Sequence, residues 1–276
     1  MSNSIPIYVI NLGTATDRLA HAKSELKRQG LAFRRLPAVD AKGLDAATLT
    51  GVFDEEKSKR TYHVPMQKGE IACFLSHRLA WQRFLSDDDA PFLVILEDDF
   101  EMRGNLAALI EAVASASLPP WDMIKLWGKR RSVAQGVARL PGGWRLTREP
   151  VLSKRTVGQL VSRAGARKLL ATTLPIHRPI DVQLQNWWEL GINILTLAPP
   201  FVVDVGDEAF GGSSVKDKVT TFDGAKLSRE FRRTKLRAAM VAQSLRHFAR
   251  AARGSVSAGD RGAALPAPPL RDPPPP

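Results

Sequence analysis

Apolar and polar positions along this chain fall into blocks whose lengths predict alternating strands and helices. Residues 5–12 form a nearly continuous apolar run rich in Ile and Val, as in a strand buried on both faces. A polar loop follows, and residues 18–29 set Leu19, Ala22 and Leu26 on one helical face, closed by Gly30. Residues 33–39 read as a second strand ending at Asp40. This βαβ opening predicts a doubly wound α/β sheet. Polar, irregular residues 42–64 read as short helices and loops. Helices are expected over 69–85, carrying Ile71, Phe74, Leu75, Leu79 and Phe84 at helical spacing, and over 106–116. Residues 92–96 and 123–127 read as strands, and 130–155, with Pro141-Gly142-Gly143, as a hairpin or mobile insert. Strand character returns at 157–161, 192–197 and 201–205, with helices at 164–172 and 181–190, the latter capped by Asp181. Residues 206–223 read as a flexible closing segment and 227–252 as a basic helix. The organisation expected is a catalytic domain over 1–222, a basic amphipathic segment over 223–253 and a disordered Pro-rich tail over 254–276.

Composition narrows the class. The 276 residues, 44% hydrophobic and 25% charged, are those of an ordinary globular protein able to bury a full core. Cys73 is the one cysteine, which excludes a disulfide framework and a cysteine-based zinc site. No stretch reaches the roughly 18 to 20 apolar residues of a membrane span. Residues 1–12 lack both a basic n-region and a full secretory h-region, so a cytoplasmic location is the expectation. The net charge of +12 is uneven: residues 226–253 hold nine basic side chains against Glu230.

The run Phe92-Leu93-Val94-Ile95-Leu96 delivers Glu97-Asp98-Asp99 to one point. Three adjacent acids cannot stay inside a core, so they lie where the strand leaves it, and in open α/β sheets that end binds ligands. Such a group suits a hard divalent cation and a nucleotide diphosphate, with Lewis-acid chemistry at a leaving phosphate. The plainer alternative is that acids simply end strands. Glu70, in the first turn of the central helix, suits the helix dipole, and Ser76 and His77 follow about two turns in. Asp181 heads a helix as a plain N-cap would. Lys125, Lys129, Arg130 and Arg131 follow a strand, where they could meet phosphate or form a solvated loop. Trp187-Trp188 cannot both face one core, so one ring is free to stack on a sugar or to pack on a neighbouring element.

Together these pieces resemble glycosyltransferase family 25, the bacterial lipopolysaccharide and lipooligosaccharide transferases related to the collagen galactosyltransferases. The likeness rests on Ile7-Tyr8-Val9-Ile10-Asn11-Leu12 with Asp17-Arg18, Pro37-Ala38-Val39-Asp40, the block from Gly69 to His77, and Ile95-Leu96-Glu97-Asp98-Asp99. Weaker matches follow at Asp122 to Leu126, Val161 to Ala166 and Pro179-Ile180-Asp181. The resemblance implies a GT-A type, Rossmann-like α/β fold with a mostly parallel sheet, and inverting transfer of galactose or glucose from a UDP-sugar with Mn²⁺ or Mg²⁺. It implies that Glu97 and Asp99 hold the metal, that Asn11, Arg18, Asp40, Glu70, Ser76, His77, Asp98 and Lys125 lie on the donor side, and that Asp181 is the general base, with Asp207, Glu208 and His177 as alternatives. The chain departs from the family at Gly13-Thr14, where an acidic and basic pair is usual, and at Gly211-Gly212-Ser213-Ser214, which matches loosely.

In the basic helix, Leu227, Phe231, Ala238, Val241, Leu245, Phe248 and Ala252 fall on one side and most arginines on the other. That pattern fits a helix lying on an anionic membrane surface, which suits a lipid-linked oligosaccharide acceptor, or a helix docked on its own domain. A nucleic-acid-binding role for the tail leaves the acidic motif without a purpose, and aromatic residues are not interleaved with the basic ones. No nucleic-acid partner is expected.

Overall fold

The computed structural model describes residues 5–128, 134–206 and 223–257, with side chains in the last segment from 229 to 250. In chain order the elements are β1 (Ile7–Asn11), α1 (Thr16–Lys27), β2 (Arg34–Pro37), α2 (Ala46–Val52), α3 (Glu55–Thr61), α4 (Lys68–Asp87), β3 (Phe92–Glu97), β4 (Phe100–Met102), α5 (Leu106–Ser115) and β5 (Met123–Lys125). They continue with β6 (Gln135–Arg139), β7 (Arg145–Arg148), β8 (Gly158–Ser162), α6 (Arg163–Thr172), α7 (Ile180–Gln185), α8 (Trp187–Leu190), β9 (Ile194–Ala198), β10 (Val202–Asp204) and α9 (Asp223–Ser257).

Eight strands form one sheet in the order β2-β1-β3-β8-β5-β9-β7-β6. Six run the same way, and β8 and β7 run against them, so the sheet is mostly parallel as expected. The chain steps from β1 to β2 on one side and then crosses to β3 on the other. The carboxyl ends of β1 and β3 therefore flank a switch point, where an open α/β sheet leaves a crevice.

Strand alternation sorts the core into two layers. Tyr8, Ile10, Leu93, Ile95 and Val161 pack against Phe74, Trp81 and Phe84 of α4 and Leu169 of α6. Ile7, Val9, Val94, Leu96 and Leu160 pack against Ala22 and Leu26 of α1 and Leu109 and Val113 of α5. β3 is buried on both faces from Phe92 to Leu96, the condition inferred from its unbroken apolar run.

Several elements differ from the expected pattern. The strand expected over 201–205 is β10, which leaves the main sheet and pairs antiparallel with β4, just beyond the acidic turn. The helix expected over 181–190 is broken at Asn186, whose ψ of 42° is not helical, and Pro179 rather than Asp181 stands at its N-cap. Within 130–155 the hairpin reading is met by β6–β7, which adds a two-stranded extension to the sheet. The basic helix continues through Gly254 to Ser257, past the start expected for the tail.

The helix α9 docks on its own domain, one of the two placements that its pattern fits. Trp187 Nε1 donates to Ser244 Oγ at 3.3 Å, and His247 stacks on Trp188 at 5.6 Å and 7°. The face turned to the body thus carries Ser244 and His247. Of the apolar stripe, Phe231 and Leu245 stay 74% and 47% exposed, while Val241 and Phe248 are half-buried. The closing segment expected over 206–223 and the tail beyond 257 fall almost wholly outside the described residues.

Candidate active site

The site begins at the turn after β3. Ile10 stands opposite Glu97 in the parallel β1–β3 pairing, which brings Asn11 level with Asp98. Asn11 Nδ2 donates to Asp98 Oδ2 at 2.6 Å and to Ala15 O at 2.9 Å, while its Oδ1 accepts from Arg35 Nε. Arg18 Nη1 lies 3.5 Å from Asp98 and 3.9 Å from Asp99. Asp98 therefore faces β1 and α1 and ties the two strand ends together. Burial raises its pKa, with the Asn11 and Arg18 contacts opposing.

Glu97 turns toward α4. Its Oε1 accepts from His77 Nε2 at 3.0 Å and from Thr156 Oγ1, and the Gln159 amide nitrogen lies 2.9 Å from His77 Nδ1. With Gln159 donating to Nδ1, the imidazole hydrogen sits on Nε2 and points at Glu97. Burial pushes the Glu97 carboxyl up, but the His77 and Thr156 hydrogen bonds and the nearby Lys125 charge outweigh it and hold it below the usual range. Asp99 is the opposite case. Its Oδ1 is buried without a hydrogen-bond partner. Burial and then the charges of Glu97 and Asp98 push its pKa up to about 7. A buried carboxylate oxygen with no donor, repelled by two neighbouring acids, is the arrangement a cation relieves.

Asp181 reaches the same space from α7. Its Oδ2 accepts from Arg155 N at 3.2 Å, a contact that replaces the N-cap role read from the sequence. The carbonyl of Arg155 accepts from Lys125 Nζ at 2.8 Å, and Ser153 O accepts from the same amine. Arg155 has a φ of 74°, a left-handed conformation for a side chain with a Cβ. It is held there by Asp181 on its N–H, Lys125 on its carbonyl and an ion pair to Asp204. Lys125 is buried, which lowers its pKa to about 8 against the pull of Asp181, Glu149 and Glu97.

Glu70 completes the group. Its Oε2 accepts from Gln67 N at 2.8 Å, closing the first turn of α4, and its Oε1 accepts from Tyr62 Oη at 3.1 Å. Burial raises its pKa, and Asp181 adds to the rise. The Cys73 thiol is pushed well up by burial, then by the charges of Glu97, Asp181, Asp99 and Glu70. Four carboxylates from three parts of the chain thus converge on one half-buried residue of α4. Ligand atoms of Cys73, His77 and Glu97 lie within 4.8 Å of one another, the one such trio among the described residues. For a hard cation, the acceptors that fit are Asp99 Oδ1 and Glu97 Oε2, the oxygen not engaged by His77 and Thr156.

Two expected residues lie apart from this group. Asp40 is exposed and accepts from Lys42 N at 2.9 Å, capping a short turn. Ser76 is buried and accepts from Val39 N at 2.9 Å while donating to Ala72 O, so it pins β2's exit to α4. Of the alternatives to Asp181, His177 bonds to Pro175 O, and Asp207 and Glu208 lie outside the described residues, as do Lys129, Arg130 and Arg131. Thr156, Gln159, Cys73 and Arg155 were not singled out by sequence reasoning. Cys73 lay inside the 69–77 block, but nothing local marked Thr156 or Arg155 as partners of residues 59 and 26 positions away.

Beside Asp181 opens a cavity of about 500 Å³, walled by α3, residues 151–155, α7, α8 and α9.

A model of "Glycosyltransferase family 25 (LPS biosynthesis protein)" matches residues 4–136. Procollagen galactosyltransferase 1-B of Xenopus laevis is 34% identical over 186 residues, covering 63% of this chain and 30% of the relative. "Probable inactive glycosyltransferase 25 family member 3" of Bos taurus is 32% identical over 192 residues, covering 64% and 30%. The chain thus spans about 30% of the length of these curated relatives. Among solved structures, a Drosophila β-1,4-galactosyltransferase 7 mutant in complex with manganese, UDP-Gal and xylobiose aligns at a TM-score of 0.36 and 11% identity, over 81% of this chain and 78% of that one.

Proposed function

From the premise that residues 4–136 belong to glycosyltransferase family 25, we propose that this chain moves galactose or glucose from a UDP-sugar to a lipid-linked oligosaccharide of the lipopolysaccharide type. The observation that carries the reading is the buried, unpartnered Oδ1 of Asp99 at the β1/β3 switch point, next to Glu97, with Asp99 and Asp181 both charging the surroundings of Cys73. A mononucleotide diphosphate needs positive charge where it leaves. Asp99 and Glu97 would hold Mn²⁺ or Mg²⁺ there, supplying Lewis-acid neutralisation of the departing phosphate.

The remaining work falls to side chains. Asp98, held by Asn11 and Arg18, fixes the turn from which Glu97 reaches His77 and Thr156 and Asp99 stays beside Arg18. His77 and Thr156 keep Glu97 ionised and oriented. Asp181 accepts the proton of the acceptor hydroxyl as that oxygen attacks C1 of the donor, and the Arg155 N–H fixes its carboxylate. Attack from the face opposite the leaving diphosphate inverts the anomeric centre. The exposed Phe231 and Leu245, on a helix flanked by arginines, fit a cytoplasmic enzyme resting on an anionic leaflet.

A panel of UDP-sugars, assayed for hydrolysis with and without Mn²⁺ or Mg²⁺, tests the reading. Metal-dependent turnover with UDP-galactose or UDP-glucose is expected. Asp99→Asn should remove it, and Asp181→Asn should lower transfer by roughly 10²- to 10⁴-fold with little change in donor affinity. Metal-dependent turnover surviving in Asp99→Asn sinks the metal assignment, and normal transfer by Asp181→Asn removes it as the base.

A further inference from the structure

We infer that the cavity beneath α9 is an acceptor subsite for a sugar bearing a phosphate or carboxylate. The inference rests on the glycosyltransferase reading and narrows its acceptor class. About 500 Å³ is within the range of ligand sites and leaves room for a sugar ring with its substituent. The wall is built from segments far apart in sequence, and each contributes a cation: Arg60 from α3, Lys154 and Arg155 from the β7–β8 connection, Arg178 ahead of α7, and Arg233 and Arg237 from α9. Glu189 is the one acid among the described lining residues, and Arg178 already holds it at 2.6 Å. Arg155 is tied to Asp204 and Arg233 to Glu230. Arg60, Lys154 and Arg237 make no ion pair among the described residues. Three cations facing one concave space, where the one acid of the described lining is already paired, create a field that concentrates an anion.

The field is felt inside the cavity. His63, another lining residue, is shifted down by burial and then by the charges of Lys154 and Arg233. The aromatic surfaces suit a sugar as well as an anion. Trp127 and Trp188 both line the space, and Trp188 is braced from behind by the stacked ring of His247. Of the two roles open to the Trp187-Trp188 pair, packing on a neighbouring element is thus met by His247, and Trp188 also lines the cavity.

Position separates this cavity from the donor diphosphate site. The diphosphate belongs at the end of β3, against Glu97 and Asp99. The cavity instead shares a wall with the general base: Ser153 and Arg155 line it, their carbonyls take the two hydrogen bonds of Lys125, and Arg155 N holds Asp181. A sugar seated there presents its hydroxyl side to Asp181 and its anionic substituent to Arg60, Lys154 and Arg237. A concave pocket under one helix suits a compact ligand better than an extended polyanion, which needs a long basic track.

The test uses the full chain and follows the Trp indole resonances by NMR during titration with mannose 6-phosphate, glucuronic acid, mannose and inorganic phosphate. The charged sugars should shift indole signals saturably and bind at least tenfold more tightly than mannose or phosphate. The double variant Arg60→Glu/Arg237→Glu should weaken them at least tenfold while leaving the thermal midpoint and UDP-sugar affinity unchanged. Equal binding of mannose and mannose 6-phosphate overturns the inference. So does inorganic phosphate binding as tightly as the sugar phosphate, an unaffected double variant, or displacement of mannose 6-phosphate by UDP, which would make the cavity the donor's own seat. UDP-sugar binding in the same samples separates the two readings. Metal-dependent donor binding without charged-sugar binding refutes the subsite alone, whereas loss of donor binding with every sugar refutes the glycosyltransferase reading.

Discussion

Lys125 is the residue whose burial asks the most of its surroundings. Among the described residues two carbonyl oxygens meet its ammonium, those of Ser153 and Arg155, and its pKa is drawn from 10.5 to about 8 by burial. A lysine whose folded pKa is depressed costs stability in full below the folded value. As pH rises from about 8 toward 10.5, the folded amine deprotonates while the unfolded one stays charged, so the unfolded state binds more protons and stability rises. The integrated change approaches 3 kcal/mol. Lys125→Met removes the titration but leaves two carbonyls without a donor, a cost that does not depend on pH. Urea unfolding at pH 7 and pH 10 should therefore show the wild type gaining up to about 3 kcal/mol relative to Lys125→Met. A difference that stays constant across that range would show that Lys125 does not titrate there. The three acids of the motif divide at the same scale. The family resemblance gave the metal to Glu97 and Asp99 and put Asp98 on the donor side. In the structure Asp98 meets Asn11 and Arg18 while Glu97 meets His77, and that division depends on the β1–β3 register, which no local pattern reveals.

Among the elements, α6 is seated by an absence of side chain. Ser162 Oγ caps it by accepting from Gly165 N at 3.0 Å, and a Cβ on Gly165 would stand 2.1 Å from Asp122 O. Asp122 is itself anchored, since its carboxylate accepts from Asn193 N and from Lys168, and its carbonyl accepts from Ser162 N. Backbone on both sides leaves nowhere for a methyl group to go. Gly165→Ala should lower stability by about 3 kcal/mol, at the upper end for overpacking. Gly136→Ala, where a Cβ meets nothing within 4 Å, is the control expected to unfold near the wild-type midpoint. Equal thermal midpoints for the two variants would refute the packing argument. The elements legible in the sequence were those whose own side chains decide them: β1 and β3 through unbroken apolar runs, and α4 through its period and its Glu70 first turn. The insertion of β8 against its neighbours, the departure of β10 to pair with β4, and the break at Asn186 are set by tertiary partners, so periodicity could not foretell them. Asp181 shows the consequence. Its position at a helix start was legible, but its partner Arg155 N was not, because that partner lies on a connection 26 residues earlier.

At the scale of the whole molecule, α9 has two faces with separate work. Ser244 and His247 fasten it to the tryptophans of α8, and Arg233 and Arg237 roof the acidic site's neighbouring cavity. Docking through that face leaves the stripe with Phe231 and Leu245 pointing away from the body, so contact with a membrane does not require α9 to detach. Residues 229–250 carry seven basic side chains against Glu230, and each cation near an anionic surface contributes on the order of 1 kcal/mol. Burying an exposed Phe or Leu adds roughly 1.5 to 3 kcal/mol. The full chain should therefore sediment with vesicles containing phosphatidylserine and much less with pure phosphatidylcholine. Added salt should weaken the first, as it screens surface charge. Phe231→Glu/Leu245→Glu changes no residue that touches the α8 tryptophans, so its fold and UDP-sugar binding should stay as they are while vesicle binding falls at least tenfold. Equal sedimentation with neutral and anionic vesicles would remove the electrostatic half of the proposal. Unchanged sedimentation of the double variant would remove the apolar half, leaving the stripe free for another copy of the chain, which a concentration-dependent rise in sedimentation coefficient without lipid would reveal.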